Sequence, residues 1–490
     1  MLLRRTKIVA TLGPATDDLK TLDGIIRAGT DVVRINFSHG TPEEHYRRVQ
    51  QVRECAADQG RYVGVLADLQ GPKIRIERFH NGPVELREGE RFTLDAELPS
   101  DAGSEETVGV TYKTLPEDLA SGNTLLLDDG RIVLVVEEIT GAKVICRVWV
   151  GGQLSNSKGI NRQGGGLSAP ALTAKDREDI LVAAELQADY LAVSFPRNAS
   201  DIQEARELLH AAGGHGAIVS KIERAEAVND LEAIVQASDA VMIARGDLGV
   251  EIGDAELPGV QKRIIRTARK LNRVSITATQ MMESMIHNQI PTRAEVLDVA
   301  NAVMDGTDAV MLSAETAIGE YPVKAVQAMA RVCLGAEKHW ESQDGEQSVD
   351  SSFVRVDEAI AMSAMYTANH LGGVRAIVAL TESGNTVLRM SRISSAIPIY
   401  ALTRHKKTRH RITLYRGVYP LRFDVVHINP SWVIQAAINA VLHRGMVNKG
   451  DLVIVTKGDY KGISGGTNTL KIVRVGDPLL PEEAKLRGKS

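Results

Sequence analysis

Short apolar runs alternate with amphipathic stretches from residue 7 onward. Residues 7–12, 32–37 and 63–68 read as strands. Residues 19–28 and 42–59 repeat apolar positions at helical spacing and stop before Gly29 and Gly60. Strand, helix, strand in this order predicts parallel strands with right-handed crossovers. The period then drops to two from about residue 73 to 169, where 131–137 and 143–150 are strand-like and Asp128-Asp-Gly130 signals a hairpin. No helix is expected there. Alternation resumes at Leu172, with strand-like runs at 190–194, 218–223, 240–244, 274–279 and 309–313. Eight strands in βα order predict a (β/α)8 TIM barrel, with an open doubly wound sheet as the alternative.

The expected layout is α/β: a barrel in residues 1–70 and 171–345, interrupted by an all-β insertion at 71–170 and followed by a separate α/β domain at 346–490. The insertion is expected to be a small β-barrel, rejoined through the glycine-rich stretch 161–166, a composition that permits a hinge. A polar stretch, 341–348, reads as a linker. Beyond it, strands are expected at 376–380, 397–402, 418–423, 451–456 and 471–475.

Composition narrows the function classes. The 490 residues are 43% hydrophobic and 24% charged, with net charge −4, which argues against a general nucleic-acid binder. Cys55, Cys146 and Cys333 stand far apart and form neither a disulfide framework nor a zinc motif. No signal-peptide pattern opens the chain and no window approaches the roughly 18 apolar residues of a membrane span. The cytoplasm is the expected compartment.

In a barrel, the carboxyl ends of the strands line one rim. Those ends are conspicuously polar: Arg34, Asn36, Ser38 and His39 after the second strand, Asp68 after the third, and Lys221 and Glu223 at the fifth. Arg245 and Asp247 follow the sixth, Thr279 and Gln280 the seventh, Ser313 and Glu315 the eighth. Arg34 offers a bidentate fork for phosphate. Glu223 and Asp247 are two carboxylates, few enough to suit Mg2+, which keeps water and substrate oxygens in its shell. Lys221 can neutralise a phosphoryl group in transit or, alternatively, form a Schiff base. A short helix beginning near Leu248 would offer free amides to a substrate carboxylate. A phosphotransferase, a lyase using the same metal pair, and a catalytically silent phosphate sensor all remain open on these residues alone.

Longer motifs carry a resemblance. Lys7-Ile-Val-Ala-Thr-Leu-Gly-Pro14, Arg34-Ile-Asn-Phe-Ser-His-Gly40, Ser220-Lys-Ile-Glu223, Ala244-Arg-Gly-Asp-Leu-Gly-Val-Glu251, Ala278-Thr-Gln-Met-Met-Glu-Ser-Met285 and Met311-Leu-Ser-Ala-Glu-Thr316 appear in the order found in pyruvate kinases. The chain resembles that family over almost its whole length. The resemblance implies a β lid, a C-terminal regulatory domain, and transfer of phosphate from phosphoenolpyruvate to ADP, giving pyruvate and ATP. It implies Mg2+, with Mn2+ as a substitute, on Glu223 and Asp247. Arg34, Lys221, Ala244, Gly246, Asp247 and Thr279 would contact substrate. Lys221, Thr279, Arg34 and Ser313 would be catalytic, the hydroxyls in a proton relay. Asn36, His39, Arg75 and Lys158 would face the nucleotide. Homotetramers are the family's assembly.

Potassium ligands in the family map to Asn36, Ser38, Asp68 and the Leu69 carbonyl. Many members read Gly-Pro-Glu-Ile-Arg where this chain has Gly71-Pro-Lys-Ile-Arg75. Lys73 is therefore expected to substitute its own charge for potassium in that group, making potassium dispensable. In the last domain, Thr381-Glu-Ser-Gly-Asn-Thr386 reads as a phosphate cradle. It resembles the family's sugar-phosphate loop, opposite the glycine-rich stretch 457–469. Thr381, Ser383, Gly384, Asn385, Thr386, Lys457 and Gly465 are the expected contacts for a sugar monophosphate or AMP effector.

Overall fold

The computed structural model describes residues 3–339, 352–459, 462 and 465–477; the expected linker at 341–348 lies outside them. Eight parallel strands close into a barrel: β1 (Lys7–Thr11), β2 (Val32–Asn36), β3 (Gly64–Asp68), β4 (Tyr190–Val193), β5 (Ala217–Ile222), β6 (Ala240–Ala244), β7 (Val274–Ala278) and β8 (Ala309–Leu312). β1 pairs with both β2 and β8, so no edge is left open. Apolar residues buried on both faces of these strands explain their continuous apolar runs.

Helix starts follow side-chain chemistry. Thr41 and Glu44 form a reciprocal capping box ahead of helix Pro42–Asp58, and Thr292 and Glu295 do the same ahead of helix Arg293–Met304. Parallel strands, all running the same way round the barrel, deliver every carboxyl end to one rim.

The insertion is all-β apart from one short 3-10 turn at Leu115–Asp118. It forms a six-stranded sheet and a separate two-stranded ribbon. The backbone of 74–77 bonds Lys158 and Ile160 on one edge of that sheet and Gly109 and Thr111 on the other, so the ladder runs round into a closed barrel. Asp128, Asp129 and Gly130 all have left-handed φ, making the predicted hairpin between Thr124–Leu127 and Ile132–Thr140.

The C-terminal domain carries β9 (Val374–Leu380), β10 (Ile399–Thr403), β11 (Val418–Arg422), β12 (Leu452–Gly458) and β13 (Thr467–Arg474), in the order β11-β10-β9-β12-β13. It docks on the barrel end opposite the polar rim. Lys7 Nζ donates to Val418 O at 2.6 Å. Arg392 Nη1 reaches Asp308 Oδ2 at 2.8 Å and Arg273 O at 2.6 Å, and Arg416 Nη1 reaches Thr307 O at 2.7 Å. Burial works against the Lys7 charge and lowers its pKa to about 8. The three cysteines are free. Among the described residues no helix is long and apolar enough to cross a membrane.

Candidate active site

Asp68 ends β3 with no solvent exposure, a position a carboxylate tolerates only with cations beside it. Two are present. Arg34 Nε lies 2.5 Å from Asp68 Oδ2, and Lys221 Nζ lies 3.3 Å from Oδ1. Lys221 also meets Glu223 Oε1 at 3.0 Å and donates to Ser194 Oγ at 2.7 Å. Burial pushes the Asp68 carboxyl up, but Lys221 and Arg34 outweigh it and hold it below the usual range. Burial likewise pulls the Lys221 pKa down, and Asp68 and Glu223 overcome that; the net shift is upward. These partners favour the Lys221 ammonium over the neutral amine, which disfavours the Schiff-base alternative.

Glu223 is buried. Its Oε2 accepts the Phe195 amide at 2.9 Å. Burial raises its pKa, and the charge of Asp247 adds to that rise against the opposing pull of Lys221. A buried carboxylate whose ionisation is made costlier by a second one beside it fits a divalent cation between the two. No group of three or more His, Cys, Asp or Glu able to hold a metal occurs among the described residues. A two-carboxylate site completed by substrate and water fits Mg2+ chemistry.

Helix Arg245–Ile252 starts directly at the end of β6, three residues earlier than expected. Gly246 and Asp247 therefore lie in its first turn. The Gly246 amide donates to Thr279 Oγ1 at 2.9 Å, and that hydroxyl donates to Ala278 O at 2.6 Å. Thr279 has φ +66°, so it leaves the strand that the sequence extends through it. The Ser313 amide donates to buried Glu315, whose other oxygen takes the Met282 amide; Glu315 ties the seventh and eighth loops together.

Lys73 requires a correction. Its ammonium sits 3.0 Å from Asp247 Oδ1, on one of the two carboxylates expected to hold the metal, not in the Asn36, Ser38, Asp68 and Leu69 group. Asp68 is already held by Arg34 and Lys221, whereas Asp247 is partly exposed. Of that group, Asn36 Oδ1 accepts the Ser38 amide at 3.2 Å, and the Leu69 carbonyl accepts from Ser194 Oγ at 2.7 Å. His39 is exposed beside them. Arg75 donates to Ser157 O and Lys158 pairs with Asp128, so both are held by partners within the insertion.

Ser194 and Phe195 were not singled out from the sequence. They follow β4 and bring a hydroxyl to Lys221 and an amide to Glu223 at the rim.

In the C-terminal domain a cavity of about 250 Å3 is lined by Thr381, Ser383, Thr386, Lys457 and Gly465 among others. Gly384 shapes the loop at φ +88°, where a Cβ would stand 2.8 Å from Ile412 Cγ2. Asn385 is exposed and does not line the cavity. Arg404 and Thr467, absent from the expected set, do line it; Thr467 Oγ1 lies 2.8 Å from Thr386 Oγ1. Within the 457–469 stretch, 460, 461, 463 and 464 lie outside the described residues.

Two family models match the chain: pyruvate kinase, barrel domain, over residues 3–326, and pyruvate kinase, alpha/beta domain, over residues 358–473. The chain is 58% identical over 478 residues to pyruvate kinase II of Salmonella typhimurium, covering 96% of this chain and 99% of that one. It is 56% identical over 459 residues to a pyruvate kinase of Haemophilus influenzae, covering 93% and 96%. A crystal structure of a pyruvate kinase from Cryptosporidium parvum matches with TM-score 0.87 at 34% identity, covering 96% of each chain.

Proposed function

The chain belongs to the pyruvate kinase family and is a phosphotransferase, and from that premise we propose how its residues divide the work. The observation that carries the assignment is the Lys221 ammonium fixed between Asp68 and Glu223 on the rim, with Arg34 on the other oxygen of Asp68. Phosphoenolpyruvate lies with its phosphate toward Arg34 and Lys221 and its carboxylate toward Ala244, Gly246 and Asp247 at the start of the helix. Glu223 and Asp247 would hold a divalent cation, Mg2+ or Mn2+ in its place, which would supply charge neutralisation to the substrate oxygens. As the P–O bond to the enol oxygen breaks, Lys221 offsets charge on the phosphoryl group while a β-phosphate oxygen of ADP forms the new bond. The enolate left behind takes a proton at C3 by way of Thr279, with Ser313 and water in the relay. Asn36, His39, Arg75 and Lys158 face the nucleotide.

We further infer that potassium is dispensable, because Lys73 carries a fixed cation to the substrate end of the rim. The C-terminal cavity takes a sugar monophosphate or AMP, with the hydroxyls of Thr381, Ser383 and Thr386 and the cation of Lys457 meeting its phosphate. Exposed Ile290, Leu297 and Ile318 on the barrel, and Val354 and Val356 on the C-terminal domain, suit burial in a homotetramer. The cytoplasm, where the substrates of glycolysis are found, is the proposed compartment.

Pyruvate formation is measured with Mg2+, ADP and phosphoenolpyruvate, without potassium and then with it, for the wild type and Lys73→Glu. The wild type should be active in both buffers and the variant only with potassium. A wild type that needs potassium, or a variant indifferent to it, would remove Lys73 from this role. A phosphoenolpyruvate saturation curve unmoved by a panel of sugar monophosphates and AMP would remove the effector assignment.

A further inference from the structure

Thr279 and Gln280 both adopt left-handed backbone, with φ of +66° and +54°. A β-branched threonine is poorly suited to that region, and the conformation persists only where its surroundings enforce it. One buried side chain supplies much of that enforcement. Arg245 Nε donates to Ala278 O and Thr279 O, each at 3.2 Å. Its Nη2 donates to Thr279 O at 2.7 Å and Gln280 O at 3.3 Å, and lies 2.9 Å from Met281 Sδ. Its Nη1 is anchored on Asp298 Oδ1 at 2.7 Å, on helix Arg293–Met304. The guanidinium thus gathers three successive carbonyls of the turn. The same turn aims the Thr279 hydroxyl, fixed between the Gly246 amide and Ala278 O. A planar fork of five donors can do this; a single ammonium cannot hold the same set.

We propose that Arg245 is a positioning residue for the proton-transfer half of the reaction, holding the strained turn that aims the Thr279 hydroxyl. Phosphoryl transfer is left to Lys221 and Arg34. The inference rests on the role given above to Thr279. In that half, the electron pair at the enolate C3 forms a C–H bond as the O–H bond of the Thr279 hydroxyl, or of a water it orients, breaks. The oxygen is then reprotonated from solvent, and nothing is oxidised or reduced.

The experiment compares Arg245→Lys, Thr279→Ala and the double variant. It reads steady-state kinetics and the exchange of pyruvate methyl hydrogens with deuterated water, followed by NMR. Misplacing the hydroxyl by about 1 Å should slow exchange and kcat of Arg245→Lys by about 100-fold. KM for phosphoenolpyruvate should move by less than about threefold, since the phosphate contacts proposed for Arg34 and Lys221 are untouched. The double variant should be no slower than Thr279→Ala, and guanidinium ion added to Arg245→Ala should restore part of the exchange. Normal exchange in Arg245→Lys beside slow exchange in Thr279→Ala overturns this inference alone. Multiplied losses in the double variant also overturn it, since they mark a general structural role. Normal exchange in Thr279→Ala removes the role of Thr279 itself.

Discussion

Replacing Lys73 with methionine should tighten divalent-metal binding to the substrate-free protein. The ammonium lies 3.0 Å from Asp247 Oδ1, so a cation approaching Glu223 and Asp247 must displace it or bind against its charge. A Coulomb estimate at an effective dielectric constant near 20 gives about 5 kcal/mol for such a pair. Both side chains keep solvent contact, at 27% and 20% exposure. Screening and the entropy of holding a long side chain therefore reduce the net pair to about 1 kcal/mol. That corresponds to roughly fivefold tighter binding once the charge is gone. Methionine keeps much of the apolar stem, so packing changes little. Mn2+ titration followed by electron paramagnetic resonance reads the free ion directly, without turnover. The difference should shrink as salt is added, because the pair is partly exposed. Unchanged or weaker Mn2+ binding in Lys73→Met would show that Lys73 is not the resident counter-ion of Asp247.

Two further outcomes follow from buried charge. Arg392→Met leaves Asp308 buried at the barrel–C-terminal interface without its guanidinium, and should cost about 3–5 kcal/mol in denaturant unfolding; a neutral result would mean the docking face is far wetter than this packing. Burial raises the Glu251 carboxyl to about 7. Between its usual value and 7 the folded state binds more protons than the unfolded one, so stability falls as pH rises through that window. Glu251→Gln removes this slope, and its advantage over the wild type should grow to about 3 kcal/mol by pH 8. Thermal unfolding from pH 5 to 8 measures it, and parallel curves for the two proteins would contradict the assignment.

The barrel was legible because its strands are buried on both faces and its helices carry capping signals such as Thr41 with Glu44 and Thr292 with Glu295. Charges at strand ends pointed to Arg34, Asp68, Lys221 and Glu223 for the same reason: only a functional rim justifies ionised groups there. What escaped depended on long-range geometry. Lys73 and Asp247 are 174 residues apart, and nothing local says that Asp68 is already neutralised by two other cations. Ser194 and Phe195 act through one hydroxyl and one amide, which leave no pattern of their own. The insertion's alternation revealed strands but not the short segment 74–77 that bridges the two edges of its sheet, because those pairings join distant stretches of chain. Arg245 read as one more rim charge, yet it points inward to the carbonyls of the next loop.

In the proposed reaction the Lys221 ammonium, held between Asp68 and Glu223, carries phosphoryl transfer. Rapid-quench measurement of ATP formed from phosphoenolpyruvate and ADP, in the wild type and Lys221→Met, tests it most directly. With phosphoenolpyruvate binding checked by fluorescence titration at saturating Mg2+, the variant should still bind substrate but transfer phosphate about a thousandfold more slowly. Transfer at a rate near that of the wild type, in a folded variant that binds substrate, would contradict it.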